Sequence, residues 1–267
     1  MRLIDQPYIL TKEQIHFYHE NKFIKLKNVF DEETLAYYGQ LIKDKVKELN
    51  TQHIPIEERD TYSKAFLQIF NLWRESEDVK EFIFGKRLAG IATQLMGTEG
   101  VRMYHDQALF KEPGGGFTPW HADQYYWPLA NDNTITAWIP LQAVPLEMGP
   151  LEFSAKSHTL QDGRNLKISD DSEQVIGQKL RLGDFEKVVK PFDLGEVSFH
   201  SGWVFHRAGA NTTDQMRAVM TVIYMDKNMK LNAPENDNQQ LDWDTWCPGA
   251  KIGEVIDTEI NPVIFDA

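Results

Sequence analysis

The chain has 267 residues, 42% hydrophobic and 25% charged, with 28 Lys+Arg against 40 Asp+Glu and a formal net charge of −12. That composition is globular rather than disordered, and the length suits one large domain. The acidic balance argues against nucleic-acid binding and against docking on anionic lipid, and no apolar run approaches the roughly 18 residues of a membrane span. Thr11 and Gln14 form a candidate capping box, predicting a helix through about Asn21. Phe23-Ile24-Lys25-Leu26-Lys27 alternates as a strand. Asp31 reads as an N-cap, with Leu35, Tyr38, Leu41, Ile42, Val46 and Leu49 following at helical spacing. A third helix is predicted from about Asp78 to Met96, stopped by Gly97.

After Gly100 the texture changes to short apolar, β-branched and aromatic stretches: Val101–Phe110, Thr134–Leu141, Glu196–Phe199 and Ala218–Met225. Gly, Pro, Asn and Asp clusters divide them, which suggests an antiparallel sandwich or barrel. The polar stretch 159–190 is predicted to be a long insertion, such as a lid. The economical division is one domain, 1–267: a mostly helical N-terminal layer (1–100), a core (101–230) carrying the insertion near 159–190, and a C-terminal extension (231–267). Residues 226–267 hold three basic and nine acidic side chains, half of the net charge, and read as largely remote from the chemistry. The opening segment through Gln14 has acids where a secretory signal would be apolar, and the single Cys247 excludes an intrachain disulfide framework. Both features point to a cytoplasmic protein.

Of eight histidines, only His121 has an acid two positions later, Asp123. On an extended segment, residues i and i+2 share a face, so this imidazole and carboxylate can converge on one metal ion. With a distant histidine they would make a 2-His-1-carboxylate triad, which leaves open positions on Fe(II). Alone, the pair is what chance supplies about once in such a sequence. His206 supplies context: it ends the apolar segment Val197–Phe205 ahead of a Gly/Asn turn, where a strand rim could present it. Arg217 opens the next apolar run and suits a partly buried carboxylate.

These residues sit in a longer pattern. Tyr104-His105-Asp106-Gln107-Ala108-Leu109-Phe110-Lys111 leads through a Gly-rich turn to Thr118-Pro119-Trp120-His121-Ala122-Asp123. Trp138-Ile139-Pro140-Leu141, Gly149-Pro150-Leu151, Ser157-His158, Leu194-Gly195-Glu196-Val197, His206, Asn211, Arg217 and Asn261-Pro262-Val263-Ile264 follow in order. Over nearly its whole length the sequence resembles the phytanoyl-CoA dioxygenase (PhyH-like) family of Fe(II)/2-oxoglutarate-dependent oxygenases. The resemblance implies a mainly β fold with flanking α-helices, a double-stranded β-helix (jelly-roll, cupin-like) core under a helical N-terminal layer. It also implies Fe(II) on His121, Asp123 and His206, 2-oxoglutarate held through Arg217, and O2 as oxidant. Trp138 falls where the family lines the co-substrate site, and Gln107 and Thr118 face the same region. The implied reaction is hydroxylation of a small molecule with succinate and CO2 as co-products. Desaturation, epimerisation or cyclisation by the same cofactors, or a non-catalytic binding jelly-roll, stand as alternatives. Ala208 departs from the pattern, since many relatives carry there a serine that hydrogen-bonds 2-oxoglutarate. Phe153-Ser154-Ala155-Lys156-Ser157-His158 replaces the usual Pro-Gly-Ser-His turn.

Tyr125-Tyr126-Trp127 and Trp203 either cap the barrel or form a substrate wall. His105 either lines the pocket or is a satisfied core histidine. His200 is not expected to touch metal, because Ser201-Gly202 interrupts its register with His206. His158 is expected to stabilise its loop, and His16, His19 and His53 read as surface. Lys64, Gln68 and Asn71 read as a solvated face, with a minority reading that one of them reaches the pocket. The expected partner is a small molecule, with no nucleic acid or membrane, and the protein is expected to be a monomer or homodimer.

Overall fold

Local signals set the first elements. Thr11 accepts from the Gln14 backbone while the Gln14 side chain accepts from the Thr11 backbone, and this box opens helix α1 (Lys12–Asn21). Strand β1 (Phe23–Leu26) follows, then α2 (Glu32–Leu49), capped by Asp31. The structure, a computed structural model, describes residues 3–267. Met1 and Arg2, the start of the N-terminal layer, lie outside the described residues. The chain continues through α3 (Thr61–Ala65), β2 (Leu67–Phe70), α4 (Glu77–Ile83) and α5 (Lys86–Met96).

The single helix expected over Asp78–Met96 is therefore two. Ser76 caps α4, and the break falls at Phe84-Gly85, where the backbone passes Ile4 so closely that a Cβ on Gly85 would sit 2.9 Å from the Ile4 carbonyl oxygen. Beyond Gly97 the chain is mainly strand: β3 (Gly100–Phe110), β4 (Thr118–His121), β5 (Thr134–Pro140) and β6 (Leu151–Ser154). Next come α6 (Asp170–Leu182), β7 (Lys187–Val189), β8 (Val197–Ser201), β9 (His206–Ala208), β10 (Val219–Asp226), α7 (Asp237–Trp246) and β11 (Val263–Asp266).

The strands form two antiparallel sheets, a jelly-roll. The larger runs β1-β8-β5-β10-β3, and the outer edge of β3 is shared, with β2 on Gln107–Phe110 and β11 on Gly100–Arg102. The smaller runs β4-β9-β6-β7. The outer face of the large sheet and the helical layer bury one apolar core, including Ile42, Phe82, Leu95, Ile139 and Phe199. The inner faces meet in a cluster around Trp138 and Phe153, while the inner side of β3 and β10 packs with the C-terminal extension in a second cluster around Tyr104, Trp127 and Cys247. The polar insertion is docked: α6, opened by a Ser169 capping box, packs Ile176 and Leu180 with Trp120 of β4 and with Phe205, just ahead of β9. Among the described residues no helix is long and apolar enough to cross a membrane.

Strand β3 carries a bulge. His105 pairs with Ile223 and Met103 with Tyr224, so Tyr104 is the extra residue and turns inward beside His105. The buried Asn261 donates through Nδ2 to the carbonyls of both Met103 and Tyr104, at 3.1 Å each, and holds the bulge from behind.

Candidate active site

Between the sheets lies a cavity of about 410 Å³. His121 ends β4 and His206 opens β9, and the two pair directly across the ladder. Asp123 begins the short turn after β4, and ligand atoms of all three residues lie within 4.8 Å of one another. The His121 Nδ1 donates to the Pro119 carbonyl at 2.7 Å and the His206 Nδ1 to the Val204 carbonyl at 3.1 Å. A carbonyl only accepts, so each Nδ1 carries the proton and each Nε2 presents a lone pair. Those lone pairs face Asp123 Oδ1, at 3.5 Å from His121 and 3.7 Å from His206. Burial and then His121 hold the His206 imidazole well below its ordinary range, which keeps it neutral. Burial works against ionisation of Asp123, but the hydrogen bond donated by His200 helps to hold its carboxyl well below the usual range. Two imidazole Nε2 atoms and a carboxylate on one point form a donor set that fits a divalent first-row metal.

The second oxygen of Asp123 is also fixed. His200 Nε2 and Thr136 Oγ1 each donate to Oδ2 at 3.2 Å. His200 thus stays outside the three-residue group but orients its carboxylate, a role that the sequence reading missed. The signal lay in register: His200, Thr136, Ile223 and His105 form one inward row across β8, β5, β10 and β3.

Arg217 is 1% exposed and lines the same cavity. One guanidinium nitrogen donates to the Gly149 carbonyl, Nε has no partner, and Trp138 lies beneath with its ring centre 5.4 Å away. Among the described residues no carboxylate pairs with it. Burial lowers it to about 9, so it remains a cation with donors to fill. Gly149 must be glycine here: its φ is +70°, and a Cβ would lie 2.2 Å from the Gly209 carbonyl oxygen. Gln107, Thr118 and Trp138 also line the cavity. Gln68 joins them by donating to Gln107 at 2.5 Å and accepting from Tyr62 at 2.9 Å, so the minority reading of the Lys64, Gln68 and Asn71 group describes Gln68.

The four aromatic candidates separate. Tyr126 and Trp127 line the cavity. Tyr125 does not: its hydroxyl accepts from Asn238 at 3.0 Å and its carbonyl from Gln239 at 3.1 Å, so it docks α7. Trp203 faces a neighbouring depression, with Arg164 stacked 4.4 Å from its ring centre. His105 lines the cavity, and its Nδ1 has no partner. The acidic C-terminal stretch is not wholly remote, since Asn238, Asp242 and Trp246 of α7 line the cavity as well.

A jelly-roll that gathers two imidazoles, a carboxylate and a buried arginine with no carboxylate partner among the described residues around one cavity defines the class of non-haem iron, 2-oxoglutarate-dependent dioxygenases. The sequence model of the phytanoyl-CoA dioxygenase (PhyH) family matches residues 18–219, and the chain belongs to that family. Among similar proteins is one named 2-aminoethylphosphonate dioxygenase, from uncultured bacterium HF130_AEPn_1. It is 28% identical over 225 residues, covering 80% of this chain and 81% of the relative. The fold also matches the solved structure of the 2-oxoglutarate-dependent carbocyclase SnoK from nogalamycin biosynthesis, with TM-score 0.78, 24% identity, and coverage of 97% of this chain and 100% of that one. The epimerase SnoN, solved with Fe3+, alpha ketoglutarate and nogalamycin RO, matches with TM-score 0.78, 21% identity, and coverage of 95% and 98%.

Proposed function

We propose that the protein hydroxylates a C–H bond of a small molecule, with His121, Asp123 and His206 holding Fe(II) and Arg217 holding the distal carboxylate of 2-oxoglutarate. The observation that carries this reading is the convergence of three ligand atoms within 4.8 Å beside a buried cation without a carboxylate partner. Iron(II) with 2-oxoglutarate and O2 supplies the oxidant for the C–H bond, leaving succinate and CO2. The chain's own residues bind and orient. Pro119 and Val204 fix the imidazole tautomers through their carbonyls, and His200 with Thr136 aims the Asp123 carboxylate. Arg217 offers a planar fork that matches a carboxylate, and Trp138 walls the same space. Thr118 offers a hydroxyl and Gln107 an amide to the co-substrate end. Tyr126 and Trp127 keep water from the substrate end.

Asp123→Ala should fold normally by circular dichroism yet lose Fe(II) binding and succinate release by at least about a hundredfold. Undiminished succinate release in that variant would overturn the assignment. A product heavier than its substrate by one oxygen marks hydroxylation. A product that gains no oxygen marks desaturation, epimerisation or cyclisation instead.

A further inference from the structure

The cavity has two ends of opposite character. Arg217 lies at one. At the other, α7 brings Asn238, Asp242 and Trp246, spaced by four residues, onto one helical stripe facing the cavity. Asp242 Oδ2 accepts from the Tyr104 hydroxyl at 3.0 Å, the side chain that the β3 bulge turns inward. That is its one hydrogen bond among the described residues, and no lysine, arginine or histidine pairs with it. Lys167, the other charged side chain at this end, is exposed at the mouth.

Around this carboxylate stand aromatic rings. Phe70 and His105 each pack on Trp246 with centres 4.8 Å apart, and on one another at 5.5 Å. Burial pushes the His105 imidazole down to about 4, so it is a neutral ring and not a competing cation. The same burial raises the Asp242 carboxyl to about 7 despite its bond from Tyr104. A carboxylate held among rings without a counter-charge is costly, and a bound cation removes that cost. Aromatic faces attract the same kind of ligand through their quadrupoles.

We infer that this end of the cavity is a receptor for an organic ammonium group, so that the substrate is an amine or quaternary ammonium compound whose cation rests between Asp242 and the rings of Phe70, His105 and Trp246. The inference rests on the oxygenase reading for the position of the reacting carbon, but the binding it asserts can be measured alone. The family model matches residues 18–219, and α7 follows that match.

The probes are choline and its uncharged carbon isostere 3,3-dimethylbutan-1-ol, added to the full chain at up to about 10 mM and followed by thermal unfolding and calorimetry. Choline should stabilise the wild type while the isostere does not. Asp242→Asn, which keeps an acceptor for Tyr104, should weaken choline binding about tenfold or more, and Trp246→Leu should weaken it with the carboxylate intact. Equal effects of the two probes, no choline-selective effect at all, or undiminished binding in Asp242→Asn would each overturn the proposal. The visible band formed anaerobically by the wild type with Fe(II) and 2-oxoglutarate reads the oxygenase assignment separately. Band without ammonium selectivity sinks the receptor; selectivity without band keeps the receptor and sinks the oxygenase assignment.

Discussion

Thr118 carries a buried hydroxyl without a hydrogen-bond partner, and it faces Ala208 across the β4–β9 ladder. An orphaned donor in the cavity that Arg217 also lines is costly unless a ligand fills it. The resemblance implies a serine at the position of Ala208 in many relatives, which would let the opposite strand offer the hydroxyl. Thr118→Val should weaken 2-oxoglutarate binding about tenfold, the worth of a hydrogen bond to a charged group, and Ala208→Ser in that background should restore most of it. Calorimetric affinities check this, and an unchanged affinity in Thr118→Val removes the contact. Lys111 makes a different prediction. It is fully buried, donates to the Gly116 and Gly209 carbonyls at 2.6 and 2.8 Å, and is pushed down to about 6 by burial and then by Arg217. Its ordinary value is 10.5, so between these limits the unfolded chain binds more protons and stability rises with pH. Urea midpoints of the wild type should therefore rise between about pH 7 and pH 9 more steeply than those of Lys111→Met. Parallel pH profiles would place the lysine's titration elsewhere.

Elements differ in how openly the sequence announces them. The caps of α1 and α2 are local, made by Thr11, Gln14 and Asp31 within three residues of their targets, and they read directly. The division of α4 from α5 depends on Ile4, some eighty residues away, and periodicity is blind to it. Helix α7 is polar on most sides, so no hydrophobic stripe announces it, although the Asn236 cap and the spacing of Asn238, Asp242 and Trp246 were there to read. The donor set was legible because His121 and Asp123 are neighbours in sequence, whereas the roles of His200 and Asp242 follow from strand register and a bulge. That bulge is testable. Asn261→Ala strips two hydrogen bonds from buried carbonyls, and should cost roughly 2–4 kcal/mol in denaturant unfolding. A loss under about 0.5 kcal/mol would show that the bulge holds without it.

At the scale of the whole molecule, net charge says little about the cavity, which is lined by both Arg217, just ahead of β10, and Asp242 of α7. The lone Cys247 is more informative. It is buried beside Tyr104, Trp127 and Ile223, and burial followed by Asp242 raises its thiol far above the ordinary value. A thiol reagent should leave the native protein unlabelled and react at the rate of unfolding. Rapid labelling of the native state would contradict the packing of the C-terminal extension. The shared edge of β3 has one more consequence, for the timing of assembly. A nascent chain that has emerged through β10 still lacks the strand that covers Gly100–Arg102, and β1 has no strand partner until β8 appears. Translation thus proceeds with these strand edges bare until β8 and β11 arrive, and bare edges are the places where a folding chain pairs wrongly.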